Sequence, residues 1–216
     1  LARKPAELSV SRDDILVAAA DVLQRNGYEA TTMKDIAAAV NLTAASLYHH
    51  FRNKDALLLA VLEAGIALVG NQIEPIAASD LPPADKLRQM IRAHVLGLTQ
   101  HTAIGAAMVF EIRSLMGLKP LPDTASDADR KAYADFSTRR EAFFVRRDRF
   151  EQLFRQVIRE GVEMGVFRGV DVGIFTKTML GAHNWVGVWY RPTGRLSGEE
   201  IAEMMADSFL RSLKPE

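Results

Sequence analysis

The chain has 216 residues, 48% of them apolar and 25% charged, with 27 basic residues balanced by 27 acidic ones. That is an ordinary globular composition, long enough for one large domain or two small ones around a substantial core. There is no cysteine, so neither a disulfide framework nor a thiolate metal site is available, in keeping with a reducing compartment.

Residues 1–10 read as a mobile arm whose Arg3 and Lys4 could touch a phosphate but need no partner. The stretch lacks the apolar segment of a secretory leader, so a cytoplasmic protein is expected. Ser11 caps the first predicted helix, in which Ile15, Ala18, Ala19, Val22 and Leu23 form a buried stripe and Gly27 ends the run.

Residues 31–54, TTMKDIAAAVNLTAASLYHHFRNK, organise the rest. Met33, Ile36, Ala37 and Val40 recur at helical spacing behind Thr32 as N-cap and Asp35 in the first turn. Asn41 breaks the pattern with a residue that tolerates left-handed backbone, and Thr43 caps a second helix. That helix can bury only Leu47 and Phe51, leaving Ala44, Ala45, Ser46, Tyr48 and His49 outward. So small an apolar face, with small residues first and donors after, is the layout of a helix-turn-helix whose second helix enters a DNA major groove. Ala44, Ala45 and Ser46 are expected at base edges, and Thr32, Tyr48 and Lys54 at phosphates. Lys34, Thr43 and His49 complete the expected DNA-facing set. Residues 1–54 carry a balance of only +1, but Lys34, Arg52 and Lys54 cluster around the motif, and a dimer doubles that patch.

The segments GYEATTMKDIA, LYHHF and NKDALL, at this spacing within residues 11–62, resemble the N-terminal domain of the tetracycline-repressor family of bacterial transcriptional regulators. Asn41 departs from the glycine that the family most often has there, a mild change because both residues accept positive φ. The resemblance implies an all-α homodimer with an N-terminal helix-turn-helix domain, residues 1–54, and a C-terminal domain, residues 55–216, for effector binding and dimerisation.

Asn53 caps a long helix starting at Lys54 that belongs to both domains and is therefore both lever and linker. Its apolar run 56–70, interrupted by Glu63, falls short of the roughly 20 residues needed to span a bilayer, so it reads as a buried helix and no membrane partner is expected. Pro75 and residues 79–85 mark the next boundary. Leu87, Met90, Ile91, His94, Val95 and Leu98 then form a helical stripe with His94 in its middle, either a bonded core residue or a ligand contact. Residues 102–116 read as one helix with Ile104, Met108, Ile112 and Leu115 on one side. Glu111 adjoins that face and must be paired, solvated or functional.

Residues 117–127 are a Pro-rich loop expected to be extended or partly mobile. A long helix covers much of 128–165, with a break expected near Ser137. Arg139, Arg140, Arg146, Arg147 and Arg149 in its first half are either a solvated face pairing with Glu141, Asp148 and Glu151, or a landing site for an anionic group. Asp171 caps the next helix, which Pro192 terminates, and Ser197 with Glu200 forms a capping box for the last.

The segment GAHNWVGVWYRPTGRLSGEEIA, within residues 140–213, is similar to a subset of the family that includes regulators of fatty-acid and sterol degradation. In the wider family the last two helices form a four-helix dimer interface. Carried over, this assigns Phe175, Ala182, Val186, Ile201, Met204, Met205 and Ser208 to dimerisation. A small hydrophobic effector is expected among His94, Met108, Phe110, Phe154, Met179 and Trp185. The resemblance points to an acyl or steroid-derived coenzyme A thioester, with Arg146 and Arg147 on its phosphates. The rival effector is an uncharged or cationic lipophilic compound, as in efflux regulators, with Glu111 facing the cation. An enzyme would need a nucleophile–base or paired-carboxylate arrangement, for which His94 with Glu111 is the best pair on offer, and no metal or cofactor is expected.

Overall fold

In the computed structural model residues 10–118 and 124–215 are described, and all their regular structure is helical. The expectations for Arg3 and Lys4, and for the centre of the Pro-rich loop, lie outside the described residues. The helices are α1 (Arg12–Ala30), α2 (Met33–Ala39), α3 (Ala44–His50), α4 (Lys54–Ala77), α5 (Pro83–Gln100), α6 (Thr102–Phe110), α7 (Ile112–Met116), α8 (Asp127–Glu163), α9 (Val172–Trp189) and α10 (Gly198–Ser212).

Local chemistry sets most of the boundaries. Ser11, Thr32 and Ser197 each close a capping box with Asp14, Asp35 and Glu200. Thr43, Asn53 and Asp171 each accept the backbone N–H three residues on. Gly27 leaves helical geometry at φ 73°, and Asn41 makes the turn between α2 and α3 at φ 55°. Both positions need the left-handed region, which glycine and asparagine enter at least cost.

Three boundaries differ from the sequence reading. Pro75 stays inside α4, whose last residue is Ala77, because a proline close to a helix end disturbs few further turns. The predicted helix over 102–116 is two, α6 and α7, separated at Glu111. Helix α8 runs unbroken through Ser137 for 37 residues. By length and composition α4 could cross a membrane, but Leu57, Leu58, Leu59, Val61 and Leu62 are buried by the helices around it.

Helices α1, α2 and α3 form a head around Ile15, Leu23, Ile36 and Leu47, each fully buried or nearly so. Helix α4 leaves this head and packs on α1, α5, α6 and α8. Helix α5 runs through the middle of the second half, against α4, α8, α9 and α10. Along its outer side Arg88 pairs with Glu203 and Asp207 of α10, and Arg92 with Glu203. Helices α6 and α9 approach backbone to backbone at Gly105 and Gly187, where a side-chain carbon on Gly187 would stand 3.3 Å from the Gly105 carbonyl carbon. Gly187 thus serves the fold of one protomer.

Candidate nucleic-acid interface and ligand cavity

The helix-turn-helix presents its outer face through short-range bonding. Thr43 Oγ1 accepts the Ser46 N–H at 3.0 Å and shares a hydrogen with Ser46 Oγ at 2.9 Å. Thr32 is held likewise by Asp35, which accepts its N–H at 2.8 Å and its hydroxyl at 2.7 Å. Lys34, Ala45, Tyr48 and His49 are exposed on this side, with Ala44 and Ser46 half-buried at the start of α3. Arg52, just past α3, is half-exposed and pairs with Asp129 at the beginning of α8.

Lys54 is placed differently from the expectation. Its Nζ donates to the carbonyls of Tyr28 at 2.7 Å and Thr31 at 2.9 Å, with Glu29 O at 3.4 Å. It also stands 4.2 Å from the centroid of the Tyr28 ring. Helix α1 ends at Ala30, so the Tyr28 and Glu29 carbonyls have no helical partner four residues on. The ammonium takes them together with that of Thr31, while the Tyr28 carbonyl also accepts the Thr31 N–H at 3.3 Å. A phosphate contact would require breaking that arrangement.

Behind the head, α4, α5, α6, α8 and α9 enclose a cavity of about 390 Å³. Ile66, Val69, Leu98, Ile104, Met108, Ile112, Phe150 and Leu180 supply apolar wall, with His94, His101 and Asn184 as polar interruptions. Arg147, Lys177, Glu151 and Trp185 also line it, and Arg147, Lys177 and Trp185 are exposed at its rim. Glu151 is bonded by Arg155 and stands 3.5 Å from Lys177 Nζ, so one carboxylate is shared among cations.

Of the residues expected at the ligand, His94, Met108, Arg147 and Trp185 come together here. Helical phase removes the others. Phe154 and Met179 are completely buried behind the wall. Phe110 is turned out to the surface, its ring 6.2 Å from that of Trp185. Arg146, one residue round α8 from Arg147, faces Glu63 and a separate small hollow on α4. Glu111 is buried away from the cavity, with Ser114 Oγ at 3.3 Å from its carboxylate and a backbone hydrogen bond from Tyr28. Its pKa is raised by desolvation, with those two bonds acting against the rise.

The sequence reading missed Lys177, Glu151, Asn184 and His101. Lys177, Gly181, Asn184 and Trp185 share one face of α9, so the position of Trp185 in the pattern carried that signal.

The residues expected at the dimer interface divide in the same way. Val186 and Ile201 face the protomer's own core, at 0% and 6% exposure, and are not available to a partner. Phe175 is half-buried, its ring 6.0 Å from that of Phe209. Ala182, Met204 and Ser208 are exposed and Met205 partly so; Ile174, Trp185 and Trp189 extend the exposed face.

Beneath the cavity, His94 Nδ1 lies 3.4 Å from Nδ1 of His183. Desolvation lowers the His94 pKa to about 4, and desolvation together with His94 places His183 well below the usual range. Both rings are therefore neutral at pH 7.

Comparison with known proteins agrees with both halves of this arrangement. The model for "Bacterial regulatory proteins, tetR family" matches residues 15–61, and that for "Tetracyclin repressor-like, C-terminal domain" matches residues 130–213. The transcriptional repressor KstR2 of Mycolicibacterium smegmatis is 26% identical over 203 residues, covering 92% of this chain and 88% of that protein. The crystal structure of the TetR family transcriptional regulator PfmR from Thermus thermophilus is 31% identical, covering 95% of this chain and all of that one, with a TM-score of 0.75. AibR, crystallised with isovaleryl coenzyme A and operator DNA, is 26% identical over 94% of this chain and 97% of its own, at a TM-score of 0.71.

Proposed function

Because this chain belongs to the tetR family of bacterial regulatory proteins, we propose that it is a ligand-responsive transcriptional repressor, which binds a palindromic operator as a homodimer in the cytoplasm and leaves it when an acyl-coenzyme A thioester enters the cavity. It is a regulator and not an enzyme, as its relatives are. Residues 1–54 form the DNA-binding part and residues 55–216 the part that binds effector and partner. One observation carries the choice of effector: an apolar cavity of about 390 Å³ has Arg147 and Lys177 at its rim. That volume suits an acyl group but not the whole coenzyme, so the nucleotide stays outside, where two cations meet its phosphates. AibR's complex and the name of KstR2 as a repressor agree with this reading.

The lipophilic-cation reading loses its support, because Glu111 lies outside the cavity and the carboxylate at the rim, Glu151, is bonded by Arg155. Binding can displace DNA only if the effector prefers a dimer whose heads are wrongly spaced for adjacent grooves. Helix α4 carries that preference, since Gly65 and Val69 line the cavity while Lys54 is bonded into the head.

The test is release of operator DNA by free fatty acids, their coenzyme A thioesters and lipophilic cations. Release by thioesters alone, weakened in Arg147→Ala, is the expected result. Release by the cations overturns the proposal.

A further inference from the structure

We infer that His94 reads the acyl carbonyl of the effector, donating a hydrogen bond from Nε2 while His183 holds its ring; the inference rests on the thioester reading above. His94 sits at the middle of α5, only 3% exposed, and what it offers is offered to the cavity. Its ring is fixed edge-on to Phe150 at 5.1 Å and to His183 at 5.4 Å, with Phe154 at 6.2 Å. Nδ1 is engaged with His183, so Nε2 is the ring's remaining polar atom.

The pairing of two Nδ1 atoms, taken with the burial of His183 Nε2, assigns the protons. Between neutral rings such a bond forms only if one Nδ1 is protonated and the other presents its lone pair. His183 Nε2 is buried without a hydrogen-bond partner, enclosed by the rings of Phe154 and Phe209. If His94 were the donor, the proton of His183 would sit on that Nε2 as an orphaned buried N–H, which folded proteins rarely tolerate. With His183 as donor, its Nε2 keeps only an unmet lone pair. His94 then holds its own proton on Nε2, at the cavity wall. An occupant that brings an acceptor to this donor gains a hydrogen bond there. A thioester supplies one, its carbonyl oxygen, between an acyl chain for the apolar walls and a charged end for Arg147 and Lys177.

The experiment compares a medium-chain acyl-coenzyme A with its thioether analogue, in which a methylene replaces the carbonyl, by calorimetric titration of the full-length dimer. The thioester should bind about tenfold more tightly, the difference that one buried hydrogen bond supports. His94→Leu should bind both alike, whereas His101→Ala, altering the cavity's other imidazole, should keep the preference. Equal affinities in the unmodified protein overturn the inference and leave the cavity an acyl-thioester site. Failure of both compounds to bind overturns the proposed function, and the inference with it. Should His94→Leu not fold, nitrogen-labelled histidine spectra of the unmodified protein decide. Protons on Nε2 of His94 and Nδ1 of His183 support the assignment, and the opposite tautomers defeat it.

Discussion

The ammonium of Lys54 is bonded to the backbone carbonyl of Tyr28 at 2.7 Å and lies 4.2 Å from the centre of the same residue's ring. The Tyr28 hydroxyl in turn donates to Asp55. The first two residues of α4 thus hold the end of α1, and the head is bolted to the helix that enters the effector domain. Lys54→Met, which keeps the apolar stem, should lower stability by about 2 kcal/mol, because carbonyls at the end of α1 lose a charged donor. Denaturant unfolding reads that loss. The salt dependence of operator binding should stay as it was; a slope lower by about one unit would return Lys54 to the phosphate contacts.

Lys34, in the first turn of α2, is exposed. Lys34→Ala should weaken binding to operator and unrelated DNA alike and reduce the salt slope by about one unit. A loss confined to the operator would mean that Lys34 reads bases. The operator itself should be two-fold symmetric, with half-sites about one helical turn apart, roughly 34–36 Å.

Met204 is 56% exposed on α10, whereas Ile201, one turn earlier, is buried in the protomer. Met204→Asp should yield folded monomers that no longer hold the operator, since one head contacts only half of the site. Ile201→Asp should instead unfold the chain, as a charge in the core does. Sedimentation and circular dichroism separate the two outcomes. An intact dimer in Met204→Asp places the interface elsewhere.

Glu111 joins the end of α6, whose Met108 and Val109 line the cavity, to Tyr28 at the kink of α1. Glu111→Gln should leave effector affinity of the DNA-free protein within about twofold, because the carboxylate does not line the cavity. It should reduce the factor by which operator DNA weakens that affinity, a factor that must be equal in both directions. An unchanged coupling factor in paired titrations removes Glu111 from the path.

Burial holds His94 and His183 below the usual histidine range. As pH falls below about 6.5, the unfolded chain takes up protons that the folded one refuses. Stability should therefore be complete above that pH and decline toward about 4, the folded-state value for His94. In His94→Leu the decline over this window should be shallower. Equal slopes for both proteins in unfolding measured across the window would show that the pair is not neutral.

Side chains acting within a few residues of themselves made much of this protein readable in advance. The N-caps at Ser11, Thr32, Thr43, Asn53, Asp171 and Ser197, the turn at Asn41 and the departure from helical geometry at Gly27 all depend on local bonding or backbone sterics, which the order of residues determines by itself, although α1 resumes after Gly27 and ends at Ala30. Periodicity likewise gave the buried stripes of α1, α2 and α5. Tertiary structure decided what each remaining face meets. Arg147 reaches the cavity and Arg146 does not because successive residues on a helix point about 100° apart, and only the packing of α8 against α4, α5 and α9 chooses between them. The same applies to Lys54, whose partners lie more than twenty residues away, and to His94, whose proton depends on a nitrogen 89 positions distant. Such partners are neighbours only after the helices have packed, and no spacing along the chain specifies them.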